Sequence, residues 1–212
     1  VANATNRVGV LAQTVTAVLS VRPSRRKRFL MRASRRLALP TFVGSLLGGV
    51  VGSLASPTFM EASIAVVMTA MLFTLFTKPS RWLAVGQRRE GGLMSWLTFF
   101  AIGLYGGFVQ MGIGVMMLAA LVLVQRWTLR DANVIKLILA MVLALPATLI
   151  YLFMGEIVWS AALWLAVGSA LGAWVGASYV VRIPAAQPAV RWVVMAAVVF
   201  GAGRALYNLF AA

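Results

Sequence analysis

The chain has 212 residues, of which 62% are hydrophobic and 11% charged, and it carries a formal net charge of +15 with a mean hydropathy of +0.93. Soluble domains of this size do not reach such hydropathy, so the composition excludes a soluble protein and indicates an integral membrane protein. Cysteine and histidine are both missing from the sequence, which excludes disulfides, imidazole chemistry and the usual transition-metal ligands. We therefore expect neither a metal site nor a cofactor.

The apolar runs predict an all-α, polytopic helical protein with about seven membrane segments, because each run is long enough for a helical span and none shows the alternation of a barrel strand. The first predicted span runs from about Asn3 to Val21. Residues 22–36 follow, and they hold eight of the nineteen cations. The positive-inside rule predicts that this basic segment is a cytoplasmic loop. The positive charge then reflects topology, and we expect no nucleic-acid partner.

Five further spans are predicted from the remaining ordinary apolar runs. A second basic segment, residues 78–92, is predicted to be a cytoplasmic linker between two halves of the chain. A proline kink is expected at Pro146. The predicted spans lie at about Pro40–Ser56, Ala62–Phe76, Ala132–Phe153, Val158–Val181 and Val190–Phe210.

Residues 93–124 form an apolar run of 32 residues that contains the sequence GLYGGFVQMGIG near its middle. A continuous helix of this length would measure about 48 Å, which is too long for one straight crossing. The run therefore predicts a broken or re-entrant helix that is unwound at Gln110–Gly114. A re-entrant hairpin fits the charges better than a crossing, because it places Glu156 outside and the following arginines inside: Arg126, Arg130, Arg182 and Arg191.

An internal repeat indicates a duplicated plan. The glycines Gly44, Gly48 and Gly52 recur at a constant offset of 124, and Ala2, Asn3 and Asn6 match residues of the second half at an offset of 130. We predict a first repeat in residues 1–77 and a second in residues 93–212, inverted if the glycine-rich run is a hairpin. We expect a counterpart of that run to precede Val1. The matching residues are Gly168, Gly172 and Gly176 for the glycines, and Ala132, Asn133 and Lys136 for the polar set.

Two readings are open for the glycines and for Gln110. Glycines four residues apart allow helix backbones to approach closely, which alone explains the repeated glycines. The segment around Gln110, Gly112 and Gly114 differs, because an unwound backbone offers free N–H groups that can hold an anion and Gln110 adds a donor. The alternative is a flexible kink in which a neighbouring helix satisfies Gln110.

Polar residues at matching helix starts complete the candidate binding site. Asn133 and Lys136 share one helix face, and Asn3, Asn6 and Arg7 hold the equivalent region of the first half. We expect Lys136 and Arg7 to be counter-charges to an anion in a cavity. The alternative is that Asp131 or Asn133 caps the helix while Lys136 reaches the interface. The four acidic residues provide no carboxylate pair, so we expect no enzyme.

Six stretches carry a family resemblance: GLYGGFVQMGIGVMMLAALVL, LRDANVIKLILAMVLALPATLIY, MGEIVW and GSALGAWVGA in the second half, and ANATNRVGVLAQ and GSLLGGVVGS in the first. Together they resemble the sulfite exporter TauE/SafE family. The resemblance implies a multi-pass permease of the bacterial inner membrane that moves sulfite, sulfonates or related organic anions by alternating access. Its partners would be a small anion, the lipid bilayer and a coupling ion, either proton or sodium. The alternative from another class is a non-transporting membrane scaffold or assembly subunit.

Overall fold

The computed structural model describes residues 1–56, 58–60, 62–64, 66 and 92–178. Every secondary-structure element within this part is helical, which confirms the predicted all-α class. A π-helix at Ala120–Val124 directly continues one α-helix. The α-helices are α1 (Ala2–Ser20), α2 (Arg25–Leu54), α3 (Leu93–Phe108), α4 (Ile113–Ala119), α5 (Leu129–Phe153) and α6 (Trp159–Ser178).

Three of the described helices, α2, α5 and α6, are long and apolar enough to cross a membrane by length and composition. The helices at Leu93–Phe108 and Ile113–Val124 are apolar but shorter, and α1 is not among the candidate spans although it has 19 residues. The predicted number of seven segments is therefore not confirmed. The predicted span at 190–210, most of the one at 62–76 and all of the linker 78–92 except Gly92 lie outside the described residues.

The prediction that residues 22–36 form a loop was wrong, because α2 already begins at Arg25. Ser24 is extended, and its hydroxyl accepts a hydrogen bond from the backbone N–H of Lys27 at 3.0 Å, so it caps the helix. No glycine or proline occurs between Arg25 and Leu39, and arginine, leucine and alanine favour helices. The cations therefore extend a membrane helix instead of forming a separate loop.

The two ends of the helix bundle differ in charge. At one end, which we call the basic end, Arg22 and Lys27 line a cavity together with Thr128, Arg130 and Ala177. At the opposite end, the far end, the N-terminal amine of Val1 lies 3.6 Å from the Glu156 carboxylate, and the Val158 N–H donates to the Thr5 hydroxyl at 3.2 Å.

These positions fix the directions of four helices. α1 and α6 both run from the far end to the basic end, whereas α2 and α5 begin at the basic end. α1 and α5, which carry Asn3 and Asn133 near their starts, thus run in opposite directions. An inverted repeat requires this arrangement, and the repeat itself stays a prediction.

Glycines hold α2 and α3 in close backbone contact. A Cβ atom added to Gly44 or Gly48 would overlap the carbonyl oxygen of Phe100 or Leu104 on α3. The packing role predicted for this glycine set is therefore confirmed on α2. Among the described residues, nothing lies within 4 Å of a Cβ added to Gly168, Gly172 or Gly176, so the same role on α6 stays a prediction.

The core lies where α5 meets α2, α3 and α4. Phe99, Met117, Leu121, Ile135 and Leu139 are completely buried in one hydrophobic cluster, and Leu143 extends it along α5. α5 continues through Pro146, and the predicted kink there stays a prediction. α1 and α6 pack against each other, and α1 also packs on α5. The glycine-rich segment is positioned against both α2 and α5.

Candidate functional site

The glycine-rich segment is interrupted where the sequence predicts it. α3 ends at Phe108 and α4 begins at Ile113, with Gln110 at φ 67° and Gly112 at φ 70° between them. Glycine adopts this left-handed conformation without strain, whereas a residue such as glutamine loses about 1–2 kcal/mol there. The interruption is confirmed, but it is shorter than predicted, because Gly114 already lies in the first turn of α4.

The segment doubles back. Gly92 and Trp96 at the start of α3 line one cavity with Gln125 and Trp127 at the end of the run, and Arg36 of α2 lines it as well. Both ends of the run therefore lie toward the basic end of the bundle. We call residues 93–124 the glycine hairpin.

The turn of the glycine hairpin is held by local contacts. A Cβ atom on Gly106 would lie 2.8 Å from Cδ1 of Ile113, so the two limbs meet there. The Tyr105 hydroxyl donates to the Met111 carbonyl at 2.7 Å and bridges the interruption. The re-entrant alternative, which the charge distribution favours, therefore agrees with the geometry of the hairpin.

Arg7 binds the end of α3. Its side chain is completely buried, and it donates to the carbonyl oxygens of Gly106 at 3.3 Å, of Phe108 at 3.0 Å and of Gly107. The last carbonyls of a helix lack partners within the helix and carry a partial negative charge, which a guanidinium group satisfies. The Arg7 guanidinium also lies 4.8 Å from the ring centroid of Tyr151.

Asn3 binds the same helix end. Its side-chain amide donates to the Phe108 carbonyl at 3.2 Å and to the Tyr151 hydroxyl at 3.3 Å. We call Asn3, Arg7 and Tyr151 the helix-end cluster. Tyr151 was missed by the sequence analysis, although a tyrosine within an apolar helix carries a hydroxyl that needs a partner when buried.

Gln110 lies within the interruption, and Lys136 of α5 lies beside the helix that follows it. Gln110 is buried, and its carbonyl oxygen Oε1 has no hydrogen-bond partner among the described residues. A Cβ atom on Gly114 would lie 3.9 Å from Cδ of Lys136, so the half-buried lysine lies beside the first turn of α4. The structure thus places Lys136 beside Gly114, and Gln110 and Gly112 lie within four positions of that glycine along the chain.

The predicted site residues fall into two groups. Lys136 and Tyr151 are 15 positions apart on α5, so their backbones are separated by about 22 Å along the helix. Arg7 therefore lies with Asn3 at the end of α3, and Lys136 lies with the start of α4. Asn6 and Asn133 are exposed and belong to neither group.

The alternative in which Asp131 or Asn133 caps α5 was wrong. Thr128 is the cap, because its hydroxyl accepts a hydrogen bond from the Asp131 N–H at 3.3 Å. The Asp131 carboxylate instead pairs with Arg26 of α2 through two hydrogen bonds, of which Nε to Oδ1 measures 3.1 Å. This pair joins the starts of α2 and α5 at the basic end.

The electrostatics of the interruption are asymmetric. The carbonyl end of α3 is neutralised by Arg7, whereas the first turn of α4 lies beside a second cation, Lys136. The N–H groups of Val115 and Met116 donate to the Gly112 carbonyl, which leaves those of Ile113 and Gly114 at the helix start. Backbone N–H groups, a buried amide and an ammonium group form a positive region that suits a small anion.

A family model described as Sulfite exporter TauE/SafE matches residues 1–205. A search of curated proteins found no match, and a search of solved structures found none either. The match covers both polar helix starts, the glycine hairpin and all the described helices.

Proposed function

Because this chain belongs to the sulfite exporter TauE/SafE family, we propose that it is a secondary transporter of small anions in the bacterial inner membrane. The family is one of membrane exporters of sulfite and related anions, and the three apolar helices agree with a multi-pass membrane protein. The proposed substrates are sulfite, sulfonates or related organic anions. These share a compact, negatively charged head of several oxygen atoms.

The observation that carries the proposal is the interruption of the glycine hairpin beside Lys136. Transporters commonly bind substrate where a helix is broken near the middle of the membrane, because the exposed peptide groups replace water around the solute. Here Gln110 is buried within the interruption and Lys136 lies beside Gly114. We propose that the backbone N–H groups from Gln110 to Gly114 bind the oxygen atoms and that Lys136 balances the charge.

The second proposed element of the mechanism is alternating access. The glycine hairpin packs on α2, whereas α1 packs on α6, and both sets contact α5. Movement of one set against the other would expose the interruption first to one side and then to the other. A proton or sodium gradient is the proposed energy source.

The test is sulfite flux into or out of liposomes that contain the purified protein. Replacement of Lys136 by methionine keeps a long apolar stem and removes the charge. Replacement of Gln110 by glycine removes the amide and suits the left-handed backbone. We expect each change to lower flux at least about tenfold, the effect of losing about 1.4 kcal/mol of binding.

Arg130→Gln is the matched control, because Arg130 lies on the same helix as Lys136 and lines the cavity at the basic end instead. It should transport like the unaltered protein. Absence of sulfite flux in the unaltered protein would favour the scaffold alternative. Normal flux in both site variants, with normal insertion, would remove Gln110 and Lys136 from the transport site.

A further inference from the structure

A separate cavity of about 420 Å³ lies at the basic end, between α2 and the two ends of the glycine hairpin. Its wall combines cations, aromatic rings and a buried amide, and none of these groups belongs to the transport site proposed above. The residues used here are Phe29, Arg32, Arg36, Trp96, Gln125 and Trp127.

Two cations line one side of this cavity. Arg32 and Arg36 are four residues apart on α2, so they lie on one face of the helix. Neither forms an ion pair with a carboxylate in the described part of the chain. Arg26, six residues earlier than Arg32, shows the contrast, because its guanidinium is engaged by Asp131. Within the described residues, the pair Arg32 and Arg36 is thus not neutralised by a carboxylate.

A buried donor also lines this cavity. Gln125 is only 3% exposed, and its carbonyl oxygen accepts a hydrogen bond from the Trp127 indole N–H at 3.0 Å. This bond fixes the orientation of the amide, so the other end of the group is the NH₂. That NH₂ has no hydrogen-bond partner among the described residues. An unpaired buried donor is costly, and a bound acceptor would satisfy it.

The remaining wall is aromatic. The rings of Phe29 and Trp127 are tilted against each other with centroids 6.3 Å apart, and Trp96 lines the same cavity. Aromatic faces favour an apolar body, whereas guanidinium and amide groups favour an oxyanion. A bare inorganic anion would contact only the guanidinium and amide groups. The cavity suits an anion that also has an apolar body.

We propose that this cavity binds the oxyanion head of an amphiphilic anion, with Arg32, Arg36 and the Gln125 amide on the oxygen atoms and the aromatic rings around the apolar body. Two sources share this chemistry: a soluble organic sulfonate and the phosphate of an anionic lipid. Binding here does not require transport, so this site and the transport site can be tested independently.

The first test is calorimetric titration of the purified full chain in neutral detergent with benzenesulfonate. The double variant Arg32→Gln, Arg36→Gln should bind at least about tenfold more weakly, since two charge-assisted contacts are lost. The control Arg28→Gln, Arg35→Gln removes the same charge from exposed positions of α2 that do not line the cavity. It should bind normally.

The second test measures retention of phosphatidylglycerol against phosphatidylcholine by native mass spectrometry in the same variants. Loss of phosphatidylglycerol in the Arg32, Arg36 variant alone would identify a lipid phosphate as the ligand. Gln125→Glu keeps an acceptor for the Trp127 indole and adds a negative charge, so it should abolish binding of either ligand. If neither ligand binds, or if both double variants weaken binding equally, the proposal is overturned whatever the outcome of the flux measurements.

Discussion

Arg7 is the residue whose role depends most on partners distant in the chain. Its buried guanidinium satisfies three carbonyl groups at the end of α3, about one hundred positions away. Arg7→Met would leave the Gly106 and Gly107 carbonyls without this donor, whereas Asn3 would still donate to the Phe108 carbonyl. We expect the free energy of unfolding to fall by about 2–4 kcal/mol, because hydrogen bonds to charged groups are strong and the orphaned carbonyls are buried. Thermal unfolding in detergent measures this.

Arg25→Met is the control for Arg7→Met, because Arg25 is exposed at the start of α2. Its unfolding temperature should remain close to that of the unaltered protein. An equal loss of stability in the two variants would contradict a specific role for Arg7 at the end of α3.

Gly112 and Gly114 offer a comparison of two glycines within the same turn. Gly112 has φ 70°, whereas a Cβ atom on Gly114 would meet only Cδ of Lys136 at an ordinary 3.9 Å. Gly112→Ala should cost about 1–2 kcal/mol of stability, because alanine is strained in the left-handed region. Gly114→Ala should be neutral or slightly stabilising in the same unfolding assay. The reverse order would contradict the backbone conformation of the interruption.

Single residues were predictable from sequence to different degrees. Gln110 could be identified because an amide among glycines within an apolar run is a local signal. The partners of Arg7 could not, because they are backbone groups brought near by folding. Thr128 was missed as the cap of α5 because Asp131 and Asn133 are equally good cap residues by type. The placement of Gln110 in the transport site stays a prediction.

At the level of elements, the contact of α2 with α3 depends on glycine. A Cβ atom on Gly48 would overlap the Leu104 carbonyl, so Gly48→Ala must push the helices apart or distort them. We expect a loss of about 1–3 kcal/mol of stability from this overpacking. Thermal unfolding and the yield of folded protein both report it.

Gly172→Ala is the matched control for Gly48→Ala, because the two glycines are equivalent in the repeated sequence and nothing among the described residues lies within 4 Å of a Cβ at Gly172. It should be tolerated, since alanine also has the higher helix propensity. A similar loss in both variants would show that the close contact with α3 is not the cause.

The positions of most described helices could be predicted, but their starts could not always be. The glycine pattern and the length of the apolar run were sufficient for the interruption at Gln110. The predicted start of α2 is wrong, because the dense charge of residues 25–36 indicates a loop by composition although these residues are helical. Charge determines where a segment lies relative to the membrane, whereas helix propensity and capping determine whether it is helical.

For the whole molecule, the hairpin arrangement predicts which residues share one side of the membrane. The 212-residue sequence has no cysteine, so labelling of a single-cysteine variant reports on one known position. Leu93→Cys and Leu129→Cys, both at exposed positions flanking the hairpin, should react with an impermeant maleimide from the same side. Met154→Cys, exposed near Glu156, should react from the other side. Labelling of Leu93→Cys and Leu129→Cys from opposite sides would show that residues 93–124 cross the membrane and would contradict the hairpin.

The binding of α3 by Arg7 has a kinetic consequence for any transport cycle. α1 packs mainly on α6, whereas the glycine hairpin packs mainly on α2, so the guanidinium joins two differently anchored bodies. Sliding of one body past the other requires Arg7 to release three oxygen atoms almost simultaneously, in a place where water cannot easily substitute for it. The lifetime of each conformation would then be governed by how quickly one buried side chain changes its hydrogen-bond partners.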